Sequence, residues 1–386
     1  MSNSELSLGV IGTSLKPDEK RLPLDPDHLP RIAPELRRRI WLQQGYGERF
    51  GVPDRELEPL VAGSLTTDEL LERCDVVLMA KPTAKDLNRF RDRQVLWGWP
   101  HCVQNEDITQ VAIDKKLSFI AWEAMNLWPA PGIRGLHVFH KTNEIAGYAA
   151  VMHALQLAGR TGCYGAPLRA AVIHFGLTGR GAIHALRGLG ITDITCFALS
   201  PPEDLAGQIP GVAYRQLGRR GETTDAVFTD AQGQQQLLSD ELGSYDVIVN
   251  CIFQDTDRQL FFLRESDSAR LRRGTLIVDV SCDRGLGFVF AKPTSFREPT
   301  FQVGDGITYY AVDHTPSYLW RSATYEISRA LIRYLPTVMG GSEAWDGCDV
   351  VHNAIEIRDG VLINPKILTA QRRHDAYPHA KLAEQG

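Results

Sequence analysis

The sequence lacks the cysteine patterns that mark metal sites and disulfide frameworks. Secreted disulfide-rich domains have paired cysteines, and structural zinc sites have clustered ones. Seven cysteines occur here, an odd number, and none forms a CxxC spacing. They are scattered along the chain, at Cys74, Cys102, Cys163, Cys196, Cys251, Cys282 and Cys348. We therefore expect reduced thiols, a cytoplasmic location and no metal site.

The sequence also lacks an excess of basic charge and any long apolar run. Against 47 Asp and Glu stand 42 Lys and Arg, which leaves a formal net charge of −5 and a pI of about 6.1. Nucleic acid is thus not expected as a main partner, because few phosphates would be neutralised. No run approaches the roughly 20 apolar residues of a membrane span. The N-terminal stretch has no basic region followed by an apolar one, so we expect no signal peptide.

What is present is typical of a globular chain of two or three domains. The 386 residues are 43% hydrophobic and 23% charged. Short apolar runs alternate with helical patterns, which predicts an α/β fold with mostly parallel sheets. The predicted strands are Leu6–Ile11, Asp75–Ala80, Val95–Trp99, Ser118–Trp122, Ala170–Phe175, Ile194–Ala198, Asp246–Ile252 and Thr275–Val280.

The helical patterns indicate a discontinuous arrangement of domains. Asn143–Leu157 and Tyr325–Leu335 have helical spacing and bracket the later strands. We therefore predict a domain at residues 142–311 inserted into another formed by residues 1–141 and 312–386. Val52–Glu72 is expected to contain a helix, and residues 200–245 are expected to be loop with some helix.

A glycine-rich turn follows the predicted strand Ala170–Phe175. Such a strand-turn-helix lets backbone N–H groups approach a dinucleotide pyrophosphate. On the GxGxxG pattern the positions are His174, Gly176 and Gly179, so histidine replaces the first glycine. The alternative is a close-packed turn that binds no nucleotide. The predicted cofactor-binding residues in this turn and at the ends of the next strands are Gly176, Leu177, Thr178, Gly179, Arg180, Ser200, Cys251, Ile252 and Val280.

The end of the next strand favours NADP over NAD. NAD enzymes usually have Asp or Glu there, on the ribose hydroxyl. Here the strand ends in Phe197-Ala-Leu-Ser200, with no acid to repel a 2′-phosphate, and Arg180 in the turn could supply positive charge. The alternative is that Ser200 is only a turn residue.

Polar residues follow several predicted strands, where open α/β sheets bind ligands. Lys81 and His101 each come just after a strand, and Arg21 lies in the loop after the first. Arginine can grip a carboxylate, lysine can polarise a carbonyl and histidine can move a proton, a set that suits a 2-oxo acid. Asp283 and Glu123 also follow strands, and Glu123 could hold an amino group. Singly, each could instead be a solvated charge or a structural side chain.

Taken together, these motifs resemble the alanine dehydrogenase/transhydrogenase/saccharopine dehydrogenase superfamily. They are LKPDEKRLPLDPDHL with Arg21, VLMAKP with Lys81, LWGWPH with His101, NEIAG at 143–147, the glycine turn, and IVDVSCDRG at 277–285. The segments FAKPTSF at 290–296 and YYAVDHTPSYLWRSATYEISRALI at 309–332 are most similar to the N(5)-(carboxyethyl)ornithine synthases.

The resemblance implies two Rossmann-like domains, with an NAD(P)-binding domain inserted into a discontinuous substrate domain, and a homo-oligomer. It also implies roles for seven side chains. Arg21 and Lys81 would bind the oxo acid, His101 would be the acid–base group, and Asp283 would be a second catalytic carboxylate. Glu123 would face the amino acid, and Asp313 and His314 would form a remade pocket for the amine. Asn143 stands where related enzymes have a phosphate-contacting serine.

These expectations combine into an NADPH-dependent enzyme that condenses a 2-oxo acid such as pyruvate with the side-chain amine of ornithine or lysine. Three alternatives stay open. They are an alanine dehydrogenase that uses ammonia, a saccharopine dehydrogenase-like enzyme, and a non-catalytic NADP-binding sensor.

Overall fold

A computed structural model describes residues 5–230, 232–254 and 259–382. The chain forms two compact units, one ending at His140 and resuming at Trp320, the other spanning Lys141–Leu319. The first boundary lies beside the predicted 141/142. The second falls at 319/320 rather than 311/312, because Thr315 Oγ1 donates to the Ala146 carbonyl at 2.9 Å, within the inserted unit.

The strands of the described residues are short, and the ends of several hold the predicted polar residues. In chain order they are β1 (Leu8–Ile11), β2 (Ile40–Gln43), β3 (Gly63–Leu65), β4 (Val76–Met79), β5 (Val95–Gly98), β6 (Ser118–Ala121), β7 (Arg169–Ile173), β8 (Asp193–Ala198), β9 (Ala213–Arg219), β10 (Ala226–Thr229), β11 (Gln235–Leu237), β12 (Val247–Asn250), β13 (Phe261–Leu263), β14 (Leu276–Asp279), β15 (Gly287–Phe288), β16 (Thr300–Val303), β17 (Ile307–Tyr310), β18 (Ile355–Arg358) and β19 (Val361–Leu362).

The helices run from single turns to the 18 residues of His140–Leu157. In chain order they are α1 (Pro34–Arg37), α2 (Asp54–Leu57), α3 (Thr67–Arg73), α4 (Ala84–Leu87), α5 (Glu106–Asp114), α6 (His140–Leu157), α7 (Leu177–Gly188), α8 (Leu238–Leu242), α9 (Trp320–Leu331), α10 (Leu335–Met339), α11 (Ser342–Asp346), α12 (Asp349–His352) and α13 (Pro365–Ala370). Within the described ranges, none combines the length and apolarity that crossing a membrane requires.

The discontinuous unit contains one eight-stranded sheet in the order β19-β18-β6-β5-β4-β1-β2-β3. Strands β1 to β6 are parallel, and β18 and β19 extend the sheet as antiparallel strands. The central strands are buried on both faces, as their continuous apolar runs predict. The strand order reverses between β1 and β4, and ligands bind beyond the carboxyl ends of such a sheet.

The inserted unit repeats this plan in a nine-stranded sheet. Its order is β11-β10-β9-β8-β7-β12-β14-β17-β16, with β7, β8, β9, β12, β14 and β17 parallel. The order reverses between β7 and β12, so the glycine turn after β7 lies at the switch point. Both units therefore have the doubly wound parallel arrangement, and the predicted fold class is confirmed.

The prediction for residues 200–245 is wrong, because that stretch contains the strands β9, β10 and β11 beside α8. Strand β9 has only Leu217 fully buried, so it shows no apolar run. Val52–Glu72 does contain helices, α2 and most of α3, but the edge strand β3 separates them. Gly63 opens that strand with a φ of +142°, which no helix accommodates.

Helices α6 and α7 of the inserted unit approach each other so closely that two glycines are required. A Cβ on Gly147 would lie 1.9 Å from the Thr178 carbonyl oxygen, and one on Gly181 would lie 1.8 Å from the Glu144 oxygen. This contact joins the first turns of α6 to the start of α7, directly after the glycine turn.

We expect Gly147→Ala to lower the free energy of unfolding by about 1–3 kcal/mol, since backbone must move to admit the methyl group. Gly188→Ala is the matched control, because its added Cβ has only the Tyr148 hydroxyl nearby, at 3.9 Å. The control should be neutral or stabilising by up to about 1 kcal/mol. Urea unfolding followed by circular dichroism measures both, and equal effects would contradict the close contact.

Candidate active site

Three predicted polar residues of the discontinuous unit lie beyond the carboxyl ends of adjacent strands in its sheet. Lys81 follows β4, His101 follows β5 and Glu123 follows β6, and these three strands are neighbours. The positive charge of Lys81 acts on the carboxyl group of Glu123 and lowers its pKa. The structure thus brings together a lysine, a histidine and a carboxyl group, as the strand ends predict.

His101 is tied to Glu123 through its backbone. The His101 N–H donates to Glu123 Oε1 at 2.6 Å, and the His101 ring Nδ1 lies 4.0 Å from the same oxygen. His101 has a φ of +49°, a left-handed conformation that is uncommon outside glycine, asparagine and aspartate. The ring stays 41% exposed, so a ligand can reach it. Strained backbone conformations of this kind cluster at active sites.

Glu123 sits in surroundings that disfavour its charged form. Burial and the nearby Glu356 carboxyl group raise its pKa, more than Lys81 and the backbone N–H donors lower it. Its Oε2 atom is buried and has no hydrogen-bond partner among the described residues. A carboxyl group in this state can hold a proton at neutral pH.

Arg21 is buried in the loop after β1 and is paired with a residue that sequence reasoning missed. Its Nε and Nη2 donate to the two carboxylate oxygens of Glu19, at 2.8 Å and 2.5 Å, and its guanidinium lies 4.9 Å from the centre of the Trp99 ring. Glu19 therefore neutralises Arg21 and holds its guanidinium in place. The acid two positions before the arginine was the available signal.

The glycine turn of the inserted unit explains why histidine can replace the first glycine. His174 takes a φ of +80°, the conformation a glycine would supply, and its N–H donates to the Phe197 carbonyl at 2.7 Å. A Cβ on Gly176 would meet the His174 ring at 3.0 Å, and one on Gly179 would lie 2.1 Å from the His174 carbonyl oxygen. The backbone of the turn thus requires glycine at position 179, whereas a side chain at position 176 would crowd the His174 ring.

This turn fits a pyrophosphate. Helix α7 begins at Leu177, so the first N–H groups of a 12-residue helix open beyond the sheet, in a cradle where side chains at Gly176 or Gly179 would collide. Cys251 and Ile252 directly follow the adjacent β12, and Val280 directly follows β14, with its N–H donating to the Asn250 carbonyl at 2.9 Å. Asn143 lies in the first turns of α6, which pack on α7.

Arg180 lies in α7 and Ser200 lies in the loop after β8, and their environments differ. Ser200 is exposed at the strand end. The Arg180 guanidinium stacks on Phe175, 4.0 Å from the ring centre, and donates to the carbonyls of Gly207 and Ala206 at 2.6 Å and 2.5 Å. Arg180 therefore secures the loop that carries Ser200, and its charge lies on that loop.

Asp313 and His314 follow β17 and pair with each other. His314 Nδ1 lies 2.5 Å from Asp313 Oδ1, and the His314 ring packs edge-on against Phe296. Asp313 and His314, the two residues for which the resemblance implies a remade amine pocket, thus form one local ion pair or hydrogen bond with each other.

Asp283 is only partly buried, and burial raises its pKa. A second carboxylate of the same segment, Asp279, is fully buried at the end of β14. It accepts from Asn250 Nδ2 at 2.9 Å, from the Cys282 N–H at 3.1 Å and from the Tyr309 hydroxyl. Asp279 therefore anchors the loop that presents Asp283.

We expect the Glu123 carboxyl group to lower the free energy of unfolding as the pH rises from about 4.5 to about 8, relative to a chain without this group, because folding raises its pKa to about 8. Over this range the folded chain keeps a proton that the unfolded chain releases. The Glu123→Gln variant has no such proton. From the low to the high end of this pH range, its free energy of unfolding should therefore rise by more than about 1 kcal/mol relative to that of the natural chain. Glu343→Gln, at an exposed glutamate, is the control. Parallel stability curves for all three chains would refute the assignment.

Comparison with known proteins agrees with this geometry. The family models described as "Alanine dehydrogenase/PNT, N-terminal domain" and "Alanine dehydrogenase/PNT, C-terminal domain" match residues 11–146 and 146–365. An N(5)-(carboxyethyl)ornithine synthase of Clostridium botulinum is 25% identical over 331 residues, covering 83% of this chain and 90% of the relative. An alanine dehydrogenase of Mycolicibacterium smegmatis is 24% identical over 374 residues, covering 92% and 95%.

Two solved structures share the fold. An L-alanine dehydrogenase superimposes with a TM-score of 0.74 at 19% identity, covering 95% of this chain and 99% of that one. The transhydrogenase from Sinorhizobium meliloti gives 0.69 at 18% identity, covering 93% and 99%. The two family models together span residues 11–365, so the chain belongs to the alanine dehydrogenase/PNT family.

Proposed function

We propose that this protein is an NADPH-dependent oxidoreductase that condenses a 2-oxo acid, pyruvate in the first instance, with the side-chain amine of ornithine or lysine. The observation that carries the proposal is the grouping of Lys81, His101 and Glu123 at one sheet edge, with Arg21 held rigidly in the neighbouring loop. The relative named N(5)-(carboxyethyl)ornithine synthase supports the choice of reaction.

The chain's own residues would bind the oxo acid and move protons. The Arg21 guanidinium would donate to the substrate carboxylate, and the Lys81 ammonium would polarise the keto group. A neutral amine would then attack the carbonyl carbon. His101 would take the proton released by this attack and return a proton to the departing hydroxyl, so that water leaves and an imine forms.

The glycine turn would hold the pyrophosphate of the cofactor. The residues proposed to contact the cofactor are Asn143, Gly176, Leu177, Thr178, Gly179, Arg180, Ser200, Cys251, Ile252 and Val280. Bound NADPH supplies the hydride that reduces the imine. Asp283 would act as a second carboxylate, on a loop that Asp279 secures.

An alanine dehydrogenase activity is the second candidate. It is favoured by the pairing of Asp313 with His314, because a carboxylate matched by its neighbour offers less attraction to a cationic amino acid. Ammonia as the amine would need no such attraction. Relatives named alanine dehydrogenase match as much of the chain or more.

The assay that decides between them follows NADPH absorbance with pyruvate and either L-ornithine, L-lysine or ammonium. We expect oxidation only with ornithine or lysine, and a rate that rises toward alkaline pH as the amine loses its proton. His101→Asn should abolish turnover while NADPH still binds, since asparagine tolerates the left-handed backbone at this position. Oxidation with ammonium alone would establish the second candidate. Turnover unaffected by His101→Asn would rule out the acid–base role.

We expect Ser200→Asp to weaken NADPH binding by at least about tenfold and to spare NADH, because the new carboxylate would repel a 2′-phosphate. Ser200→Ala is the neutral control and should leave the ratio of the two dissociation constants unchanged. Fluorescence titration with both nucleotides measures the ratio. An unchanged ratio in Ser200→Asp would show that discrimination lies elsewhere.

A further inference from the structure

His174 brings a side chain into a turn that the GxGxxG pattern builds from glycine. It stands at the first glycine position, and its φ of +80° is one that histidine tolerates better than most residues with a side chain. Its backbone is fixed on both sides. The N–H donates to the Phe197 carbonyl at 2.7 Å, and a Cβ on Gly179 of α7 would lie 2.1 Å from the His174 carbonyl oxygen. The imidazole ring is therefore the part of this residue that needs a physical reason.

The ring of His174 occupies the space beside Gly176. A Cβ built on Gly176 would lie 3.0 Å from His174 Nε2 and 3.1 Å from its Cδ2. Gly176 is the second glycine of the pattern, which lacks a side chain so that its backbone can approach the pyrophosphate. The Nε2 edge of the ring thus borders the place where a pyrophosphate would lie.

The two ring nitrogens of His174 have different environments. Nδ1 is buried and has no hydrogen-bond partner in the part of the chain that the structure describes, whereas Nε2 is not enclosed in this way. Burial lowers the pKa of the ring, so at neutral pH it is uncharged and carries a single N–H. On Nδ1 that N–H would be a buried donor without an acceptor, which is costly. We therefore expect the proton on Nε2, where an incoming ligand can accept from it.

The beginning of α7 offers further donors at the same place. Gly176 is the N-cap residue of this helix and has no side chain that could accept from the first N–H groups. A phosphate oxygen would be an acceptor for these backbone donors and for His174 Nε2–H together.

We propose that His174 is a cofactor-binding residue whose Nε2–H donates a hydrogen bond to a pyrophosphate oxygen of the bound nucleotide. The inference rests on the proposed function, because it takes the glycine turn as the pyrophosphate site. A glycine at this position has no side-chain donor, so the histidine adds a contact that the common GxGxxG turn lacks. NADPH and NADH contain the same pyrophosphate, so the contact strengthens the binding of both.

Two substitutions remove the donor and keep the backbone conformation. His174→Gly restores the pattern and adopts a positive φ readily, whereas His174→Asn tolerates this φ and has an amide too short to replace Nε2. We expect each variant to raise the dissociation constants of NADPH and NADH by the same factor, at least about fivefold, in fluorescence titrations. His184→Asn makes the same change at an exposed histidine of α7, and this control should leave both constants unchanged.

Phosphorus NMR locates the effect on the nucleotide. With saturating NADPH, the pyrophosphate resonances should differ between the natural chain and His174→Asn, whereas the 2′-phosphate resonance should keep its position. A change confined to the 2′-phosphate, or weaker binding of NADPH but not of NADH, would place the ring at the other phosphate and overturn the proposal.

The remaining outcomes separate this contact from the proposed function. Unchanged dissociation constants, or weaker binding in only one of two folded variants, would overturn the contact and leave NADPH as the proposed cofactor. If one variant fails to fold by circular dichroism, the other decides. A natural chain that binds neither nucleotide would refute both the contact and the proposed function. A natural chain that binds NADPH without turnover would refute the proposed reaction alone, and the titrations would still decide the role of His174.

Discussion

A buried carboxyl group must be matched by donors, a cation or a proton, and this constraint shapes both units of the protein. Glu19 is matched by the Arg21 guanidinium, and Asp279 by a tyrosine, an asparagine and a backbone N–H. Glu123 is matched by backbone N–H donors, among them that of His101, and by the positive charge of Lys81. Each of these interactions fixes a loop at the carboxyl ends of the strands, which is where sheets of this kind bind ligands.

The same constraint separates two kinds of polar residue at these edges. Arg21 and Asp279 are locked by several strong hydrogen bonds, so they serve as rigid supports. His101 has a strained backbone, and 41% of its side chain is exposed. A histidine ring that a ligand can reach suits proton transfer, whereas a locked guanidinium suits recognition of a carboxylate. The different roles of these side chains follow from how deeply each one is buried.

Much of the fold was predictable because its central strands are continuous apolar runs. The strands ending near Lys81, His101 and Glu123 are found within a residue or two of their predicted ends, and the glycine turn lies where its pattern indicates. Strands away from the sheet centres were not predictable. Strand β9 has only Leu217 fully buried, and β18 carries a buried glutamate, so neither has the periodic apolar signal on which prediction depends.

The sequence by itself determined the doubly wound parallel architecture, the strand ends that carry the polar residues, and the family, because these depend on local apolar runs and short motifs. Only the tertiary structure decided which charges meet. Glu19 neutralises Arg21, Asp313 pairs with His314, and the charge of Glu356, from a strand near the other end of the chain, raises the pKa of Glu123. Glu356 lies at a register shift of β18, and no local pattern encodes where a side chain at such a position will point.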